Sequence, residues 1–319
     1  MGAADISFAA KSALIGLRPQ EARITWEVSG HLDLSLAPHA DGWHGRGPLA
    51  RTVGYLGRPR RRTDEVWAVS VVRDEADVIA YTVEHLLAEG VDRLVVADNG
   101  STDETPGILR KLAVDLPVTV LDDALQAHHQ GVKMTRLARY AARAGAAWVV
   151  PFDADELWYS LDGRPLAETL RAADCAIAVA SMWNHLPDFD QDDAAEPNPY
   201  LRMHRRTADP LGFAKVGFRA HPWARLVHGN HNVRRQGARE RLLGVRQVPY
   251  RTVEQIERKY RQGAAALEAT GIGAEMGTHW RERARMSTAD MVATVLAEGA
   301  EHGFVEDPAP FRGLAEASS

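Results

Sequence analysis

The sequence predicts an α/β fold built on a mostly parallel, doubly wound sheet, with a small N-terminal extension before it and a helical region after it. From Val66 onward, apolar runs of strand length alternate with stretches of helical apolar spacing, and the turns between them are short. Strand, helix and strand in that order point to parallel strands joined by helical crossovers, a sheet covered on both faces. Polar clusters also follow directly on the apolar runs, at the carboxyl ends of strands, where such sheets bind their ligands.

The elements follow in order. Residues 1–63 hold short β-like pieces such as Arg23-Ile24-Thr25-Trp26-Glu27-Val28, then chain rich in turn residues that ends in the basic run Arg58-Pro59-Arg60-Arg61-Arg62, a solvated linker by composition. Residues 64–250 carry the sheet. Val66-Trp67-Ala68-Val69-Ser70-Val71-Val72 reads as a buried strand, residues 77–89 as a helix closed by Gly90, and Arg93-Leu94-Val95-Val96-Ala97-Asp98 as the next strand. A helix over 105–113, a strand over 118–121 and a helix over 133–144 lead into the apolar run before Asp153, and a further strand covers 175–182. Residues 251–319 are mostly helical in pattern. Thr252 is the N-cap of the first helix, residues 264–269 and 289–297 are apolar helical stretches, and this region is suited to packing on the sheet or to a dimer contact.

Composition excludes several classes. With 45% hydrophobic and 25% charged residues over 319 positions, the chain can bury one large core or two smaller ones, and disorder is not the expectation. Thirty-eight basic residues against 43 acidic give −5, which speaks against a dedicated nucleic-acid binder or a polybasic membrane anchor. The one cysteine, Cys175, lies in an apolar run and excludes an intrachain disulfide and a multi-cysteine zinc site. No apolar stretch reaches the roughly 18 residues of a spanning helix, and no charged-then-apolar leader is seen, so a cytoplasmic location is expected. There is no internal repeat and no P-loop.

The most informative stretch is Trp148-Val149-Val150-Pro151-Phe152-Asp153-Ala154-Asp155-Glu156, an apolar strand that ends in three carboxylates around one small residue. Two aspartates one residue apart, on chain just leaving a sheet, offer several oxygens to Mg²⁺ or Mn²⁺ and leave positions of the ion for a diphosphate. The same spacing recurs in Asp188-Phe189-Asp190 and Asp190-Gln191-Asp192 without an apolar run before it, where a solvated acidic loop is the plainer reading. Earlier strand ends give Arg73-Asp74-Glu75 and Asp98-Asn99-Gly100-Ser101-Thr102-Asp103. Asp98 can accept from a base or ribose, while Gly100 and Ser101 or Asp103 supply turn and cap chemistry.

Taken in order, Val69–Glu75, Val95–Thr105 and Phe152–Glu156 resemble family-two glycosyltransferases of the GT-A (Rossmann-like) fold, over roughly Val66 to His231. The resemblance implies a nucleoside-diphosphate-sugar donor, with a UDP-sugar favoured, a divalent cation, and inversion at the anomeric carbon. It places Arg73 and Glu75 beside the nucleotide, Asp98 at its base, and Asp153 and Asp155 at the metal and diphosphate, Asp155 being the better direct ligand. Asp74 stands where the family commonly has asparagine. In the segment where related enzymes complete this site, His231 is the third metal residue, with Lys215 or Arg219 near phosphate. Gln247 stands about where a histidine often precedes the proline in the glycosyltransferase-two-like subgroup, and Arg251 and Lys259 after it are candidate anion contacts.

An inverting transfer needs a base across the sugar from the diphosphate. Trp183 and Phe189 suit an acceptor wall after the 175–182 strand, with Asp188 and Asp190 as base candidates and Glu156 as a third. A small molecule, a glycan or a peptide is equally compatible as acceptor. Two other classes compete. A nucleotidyltransferase needs a Gly-rich basic triphosphate loop after the first strand, which Arg73-Asp74-Glu75 is not. A non-catalytic carbohydrate- or protein-binding module would leave the strand-end carboxylates without a task.

Overall fold

The computed structural model describes residues 63–123, 130–187, 195–268, 278–301 and 303–314. The N-terminal β-like pieces and the basic run lie outside the described residues, as do Phe189 and the base candidates Asp188 and Asp190. Within them, strands and helices alternate as the spacing predicts: β1 (Val66–Val72), α1 (Ile79–Ala88), β2 (Arg93–Asp98), α2 (Thr105–Asp115), β3 (Val118–Asp122), α3 (Gln130–Ala144) and β4 (Trp148–Pro151). Next come β5 (Glu156–Ser160), α4 (Leu166–Ala172), β6 (Ile177–Asn184), α5 (Pro199–Arg202), β7 (Arg205–Thr207), β8 (Lys215–Arg219), β9 (Arg225–Leu226), β10 (Val233–Arg234) and β11 (Arg239–Gln247). The last elements are α6 (Val253–Glu268), α7 (Thr278–Arg283), α8 (Thr288–Glu301) and β12 (Phe304–Glu306).

Eight strands form one sheet in the order β3-β2-β1-β4-β8-β6-β11-β5. The first four are mutually parallel, and β6 and β11 are parallel to each other. Two strands run against the rest: β8 is antiparallel to both β4 and β6, and β5 is antiparallel to β11. For β5 the reason is chain length, because only residues 152–155 follow β4, too few for the crossover that a parallel return requires. Four strand positions separate β4 from β5, about 19 Å across a flat sheet. Five Cα steps reach about 18 Å only at full extension. This link is a turn, with the Glu156 N–H donating to the Asp153 carbonyl at 3.1 Å. The sheet must therefore curl, and the curl brings β5 and β8 back to the end of β4.

Both faces of the first half are buried. Ile79, Val83, Leu86, Leu109, Leu166 and Leu170 of α1, α2 and α4 pack with Val66, Ala68 and Val72 on one face, and Met134, Leu137, Ala138 and Ala141 of α3 pack with Trp67 and Val69 on the other. A separate small cluster joins α6 to α8 through Ile256, Tyr260, Met291 and Val295. The described C-terminal residues form α6, α7 and α8, then β12, which pairs antiparallel with β7, and a non-helical stretch over 307–314. The order matters for the site. The chain steps outward from β1 to β2 to β3, then returns to lay β4 on the other side of β1, so a crevice opens where the direction reverses, at the carboxyl ends of β1 and β4.

Candidate active site

The turn after β1 is locked to the turn after β2 by Asp74. Its backbone takes φ +52°, uncommon for a residue with a side chain, and its contacts explain why. Oδ1 accepts from the amides of Thr102 (2.6 Å) and Asp103 (3.2 Å), Oδ2 accepts from Gln262 Nε2 (2.6 Å), and the Asp74 amide donates to Ser101 Oγ (2.9 Å). Burial pushes this carboxyl up, but the hydrogen bonds, the Thr102 amide foremost, outweigh it and hold the group below the usual carboxylate range. Asparagine has one acceptor oxygen where these donors use two, which gives the extra charge a structural reason. The Glu75 amide donates to Thr105 Oγ1 (2.9 Å) and the Ala76 amide to Asp103 Oδ2 (3.2 Å), completing the clasp.

Asp98 ends β2 inside this clasp and is 7% exposed. Its Oδ2 accepts from the Ser101 amide at 3.3 Å, while Oδ1 is buried with no hydrogen-bond partner among the described residues. Burial raises its pKa, with the neighbouring carboxylates adding to the shift. A buried oxygen at a strand end with no partner among the described residues can accept a further hydrogen bond. Arg73 lies alongside, its Nε 3.6 Å from Asp74 Oδ2.

After β4 the two aspartates turn to different cations. Asp153 Oδ2 receives Lys215 Nζ at 2.6 Å, and Oδ1 receives Gln130 Nε2 and Asn230 Nδ2, each at 3.1 Å. Lys215, the first residue of β8, also meets Glu156 Oε1 at 2.6 Å. Glu156 is fully buried, its Oε2 accepting from the Asp153 amide (3.1 Å) and Trp158 Nε1 (3.2 Å), so it fastens the turn and does not face the crevice. Burial pushes its carboxyl up to about 8, against the pull of Lys215.

Asp155 Oδ2 receives Lys259 Nζ at 2.7 Å, and Oδ1 receives Gln247 Nε2 at 3.2 Å. Burial would raise its pKa, but Lys259 and then Arg251 hold it below the usual range. Arg251 itself is spent on other carboxylates: Nη2 bonds Glu75 Oε2, Nε bonds Asp77 Oδ2 at 2.6 Å, and Nη1 lies 3.9 Å from Asp155. Glu75 is shifted upward by burial, with Arg251 and Lys259 opposing. The segment after β11 thus closes over the strand ends. Thr252 caps α6, accepting from the Gln255 amide at 3.1 Å, and Gln255, Lys259 and Gln262 form one stripe facing the turns.

The structure places Asp153 and Lys215 in one ion network with Glu156, and Asp155 and Glu75 in a second with Arg251 and Lys259, both at the turn after β4, with Arg73 and Asp98 at the adjoining turns. It does not bring Arg219 there. That guanidinium donates to the carbonyls of Cys175 (3.0 Å) and Ala173 and lies over the Trp148 ring, at the opposite edge of the sheet. His231 is fixed by its Nδ1–H to the Ala214 carbonyl (3.1 Å) and by the Phe213 ring, and the residue before it, Asn230, is the one that reaches Asp153. Gly229 permits this turn: it has φ +73°, and a Cβ there would lie 2.5 Å from the His231 ring. Trp183 is held by Arg206 and Arg246, at 5.3 and 5.1 Å from its centroid. A cleft of about 460 Å³ opens on the α1 side, between Ala76, Asp77, Tyr81, Pro199 and Arg202.

Gln130, Asn230 and Gln262 were not among the sequence candidates. The helical stripe counted from the Thr252 cap is a signal that points to Gln262; nothing in the local sequence marks the other two. A divalent ion needs several oxygens converging at about 2.0–2.2 Å. Here the two aspartates face different lysines, and among the described residues no group of three or more His, Cys, Asp or Glu side chains could hold a metal ion. Asp153, Asp155 and His231 as arranged do not fit the expected Mn²⁺ or Mg²⁺.

A model of Glycosyl transferase family 2 matches residues 68–237, more than half of the chain. No curated protein matches. Among solved structures, S. aureus TarS 1–349 in complex with UDP-GlcNAc is 13% identical, covers 75% of this chain and 72% of its own, and has a TM-score of 0.37. Glucosyl-3-phosphoglycerate synthase from Mycobacterium tuberculosis, in complex with Mn²⁺, UDP and glucosyl-3-phosphoglycerate, is 21% identical over 47% of this chain and 52% of its own, with a TM-score of 0.26.

Proposed function

The chain belongs to glycosyl transferase family 2, and from that premise we propose that it moves a sugar from a nucleoside-diphosphate sugar to a nucleophilic acceptor. The observation that carries the reading is the convergence of three strand-end turns, after β1, β2 and β4, on the crevice at the switch point. Asp98 Oδ1 accepts from the base or ribose. Arg73 lies beside the nucleotide, and Glu75 and Asp77 hold Arg251 behind it. The bond from the anomeric carbon to the diphosphate breaks as negative charge develops on the leaving group, and cations fixed at the strand ends stabilise that charge without reorganisation. A Mn²⁺ or Mg²⁺ ion would supply Lewis-acid stabilisation at the same place. The two aspartates hold Lys215 and Lys259 there. Attack comes from the opposite face of the sugar, with inversion. Glu156, buried behind Lys215, does not reach that face, which leaves Asp188 and Asp190 as the base candidates from sequence. Among the described residues no helix is long and apolar enough to cross a membrane.

The test is calorimetric titration of UDP, GDP, dTDP and CMP into the wild type and Asp98→Ala, followed by analysis of the transferred linkage. One nucleotide is expected to bind, about tenfold or more weakly in the variant, as for loss of a charged hydrogen-bond acceptor. A folded wild type that binds none of them would sink the reading, and a retained linkage would overturn inversion.

A further inference from the structure

We propose that Lys259 is the resident cation of the diphosphate site, standing at Asp155 where a divalent ion would stand, so that donor binding requires no metal. The inference rests on the glycosyltransferase reading and names the group that meets the leaving diphosphate.

Three cations contact the carboxylates of Glu75, Asp153 and Asp155, and their surroundings separate them. Lys215 is 2% exposed, with its ammonium divided between Asp153 and Glu156. Arg251 is 1% exposed and tied to Glu75 and Asp77. Lys259 is 22% exposed, while the Asp155 side chain it contacts is 4% exposed, so of the three it is the cation with the most solvent-accessible side chain. Two of its three N–H donors go to Asp155 Oδ2 (2.7 Å) and the Pro249 carbonyl (3.0 Å), and the third is left to meet an anion. An ammonium anchored by a carboxylate and a carbonyl is a fixed point charge, the form in which lysine binds phosphate.

The surroundings also hold Lys259 in place. Gln247 occupies the other oxygen of Asp155, which keeps that carboxylate turned toward the lysine. The helix that carries Lys259 is pinned on both sides of it, by Gln255 Oε1 accepting from the Arg251 amide (3.2 Å) and by Gln262 Nε2 donating to Asp74 (2.6 Å). Asp74 is clasped in turn to the β2 turn beside Asp98. The lysine is therefore set in position by the same network that builds the nucleotide site.

The test is calorimetric binding of UDP, GDP and dTDP in EDTA and in Mn²⁺ by the wild type, Lys259→Met and Lys259→Arg, with thermal unfolding to show that each is folded. The wild type is expected to bind one nucleotide in EDTA within about threefold of its affinity in Mn²⁺. Lys259→Met in EDTA is expected to bind about tenfold to a hundredfold more weakly, the usual effect of losing a charged hydrogen bond, and Lys259→Arg to bind closer to the wild type. Wild-type binding that appears only with Mn²⁺ would overturn the inference and leave the transferase reading standing. Undiminished binding by Lys259→Met in EDTA would overturn it equally. Failure of a folded wild type to bind any of the three under either condition would remove the transferase reading itself.

Discussion

Lys215 and Lys259 make the same contact, an ammonium on an aspartate of the Asp153-Ala154-Asp155 turn, from two different parts of the fold. Lys215 arrives on β8, within the curled sheet, and is buried between Asp153 and Glu156 at 2.6 Å from each. Lys259 arrives on α6, from outside the sheet, and keeps about a fifth of its side chain exposed. Charge alone does not assign a role to either residue. A lysine buried between two acids fastens a turn, whereas one that keeps part of its side chain exposed over a single acid can meet a ligand.

The largest expected effect follows from that difference. Lys215→Met leaves two carboxyl groups around a site with no cation, and breaking a buried pair in this way costs about 3–5 kcal/mol. Lys259→Met leaves Asp155 with Gln247 and, at 3.9 Å, Arg251 as remaining partners, so its loss of stability is expected to be smaller than that of Lys215→Met. Urea unfolding of both variants measures the contrast. Equal losses of stability would mean that the two lysines play one structural role.

The acids under the two lysines are displaced in opposite directions, which gives a pH signature. Burial pushes Glu156 up to about 8, while Asp155 is held low by Lys259 and Arg251 in spite of burial. Unfolded, Glu156 releases its proton near the usual glutamate value of 4.5, whereas folded its burial pushes that release up to about pH 8. Between those values the folded state binds more protons, so stability falls as pH rises, by at most about 1.4 kcal/mol per pH unit. Asp155 works the other way, contributing stability that is lost as pH falls through the acid range. Chemical unfolding from pH 5 to 8 is expected to show a shallower decline in Glu156→Gln than in the wild type. The same slope in both would show that Glu156 is ionised throughout the window.

The first half of the sheet was legible because its strands are buried on both faces and so read as unbroken apolar runs, with Gly90 at φ +81° ending α1 as its place in the sequence suggests. The directions of β5 and β8 were not legible. An apolar pattern records which faces are buried, while direction depends on which neighbours the chain reaches, and for β5 the four-residue link after β4 decides it. In the site, Asp98, Asp153 and Asp155 stand out because carboxylates follow directly on buried strands. Gln130 and Asn230 are single polar residues that only the closure of the sheet brings to Asp153. Asp74 was visible as an unexpected charge, but its purpose depends on amides about 28 residues away, which only the fold supplies.

The smallest expected effect concerns the two ends of β8. That strand runs antiparallel to β4, so Lys215 at its start reaches the crevice while Arg219 at its end pairs with Trp148 at the opposite edge. The family resemblance implies Lys215 or Arg219 near phosphate, and the two lie at opposite ends of this strand. The Arg219 fork donates to two carbonyls that follow α4 and covers the Trp148 ring, work that an ammonium cannot fully reproduce. Arg219→Lys is therefore expected to lower stability by about 1 kcal/mol and to leave nucleotide affinity unchanged. Paired thermal unfolding and UDP titration decide the point. Weaker binding with unchanged stability would put Arg219 at the phosphate and break the assignment of the two strand ends, because one antiparallel strand cannot present both residues to the same edge.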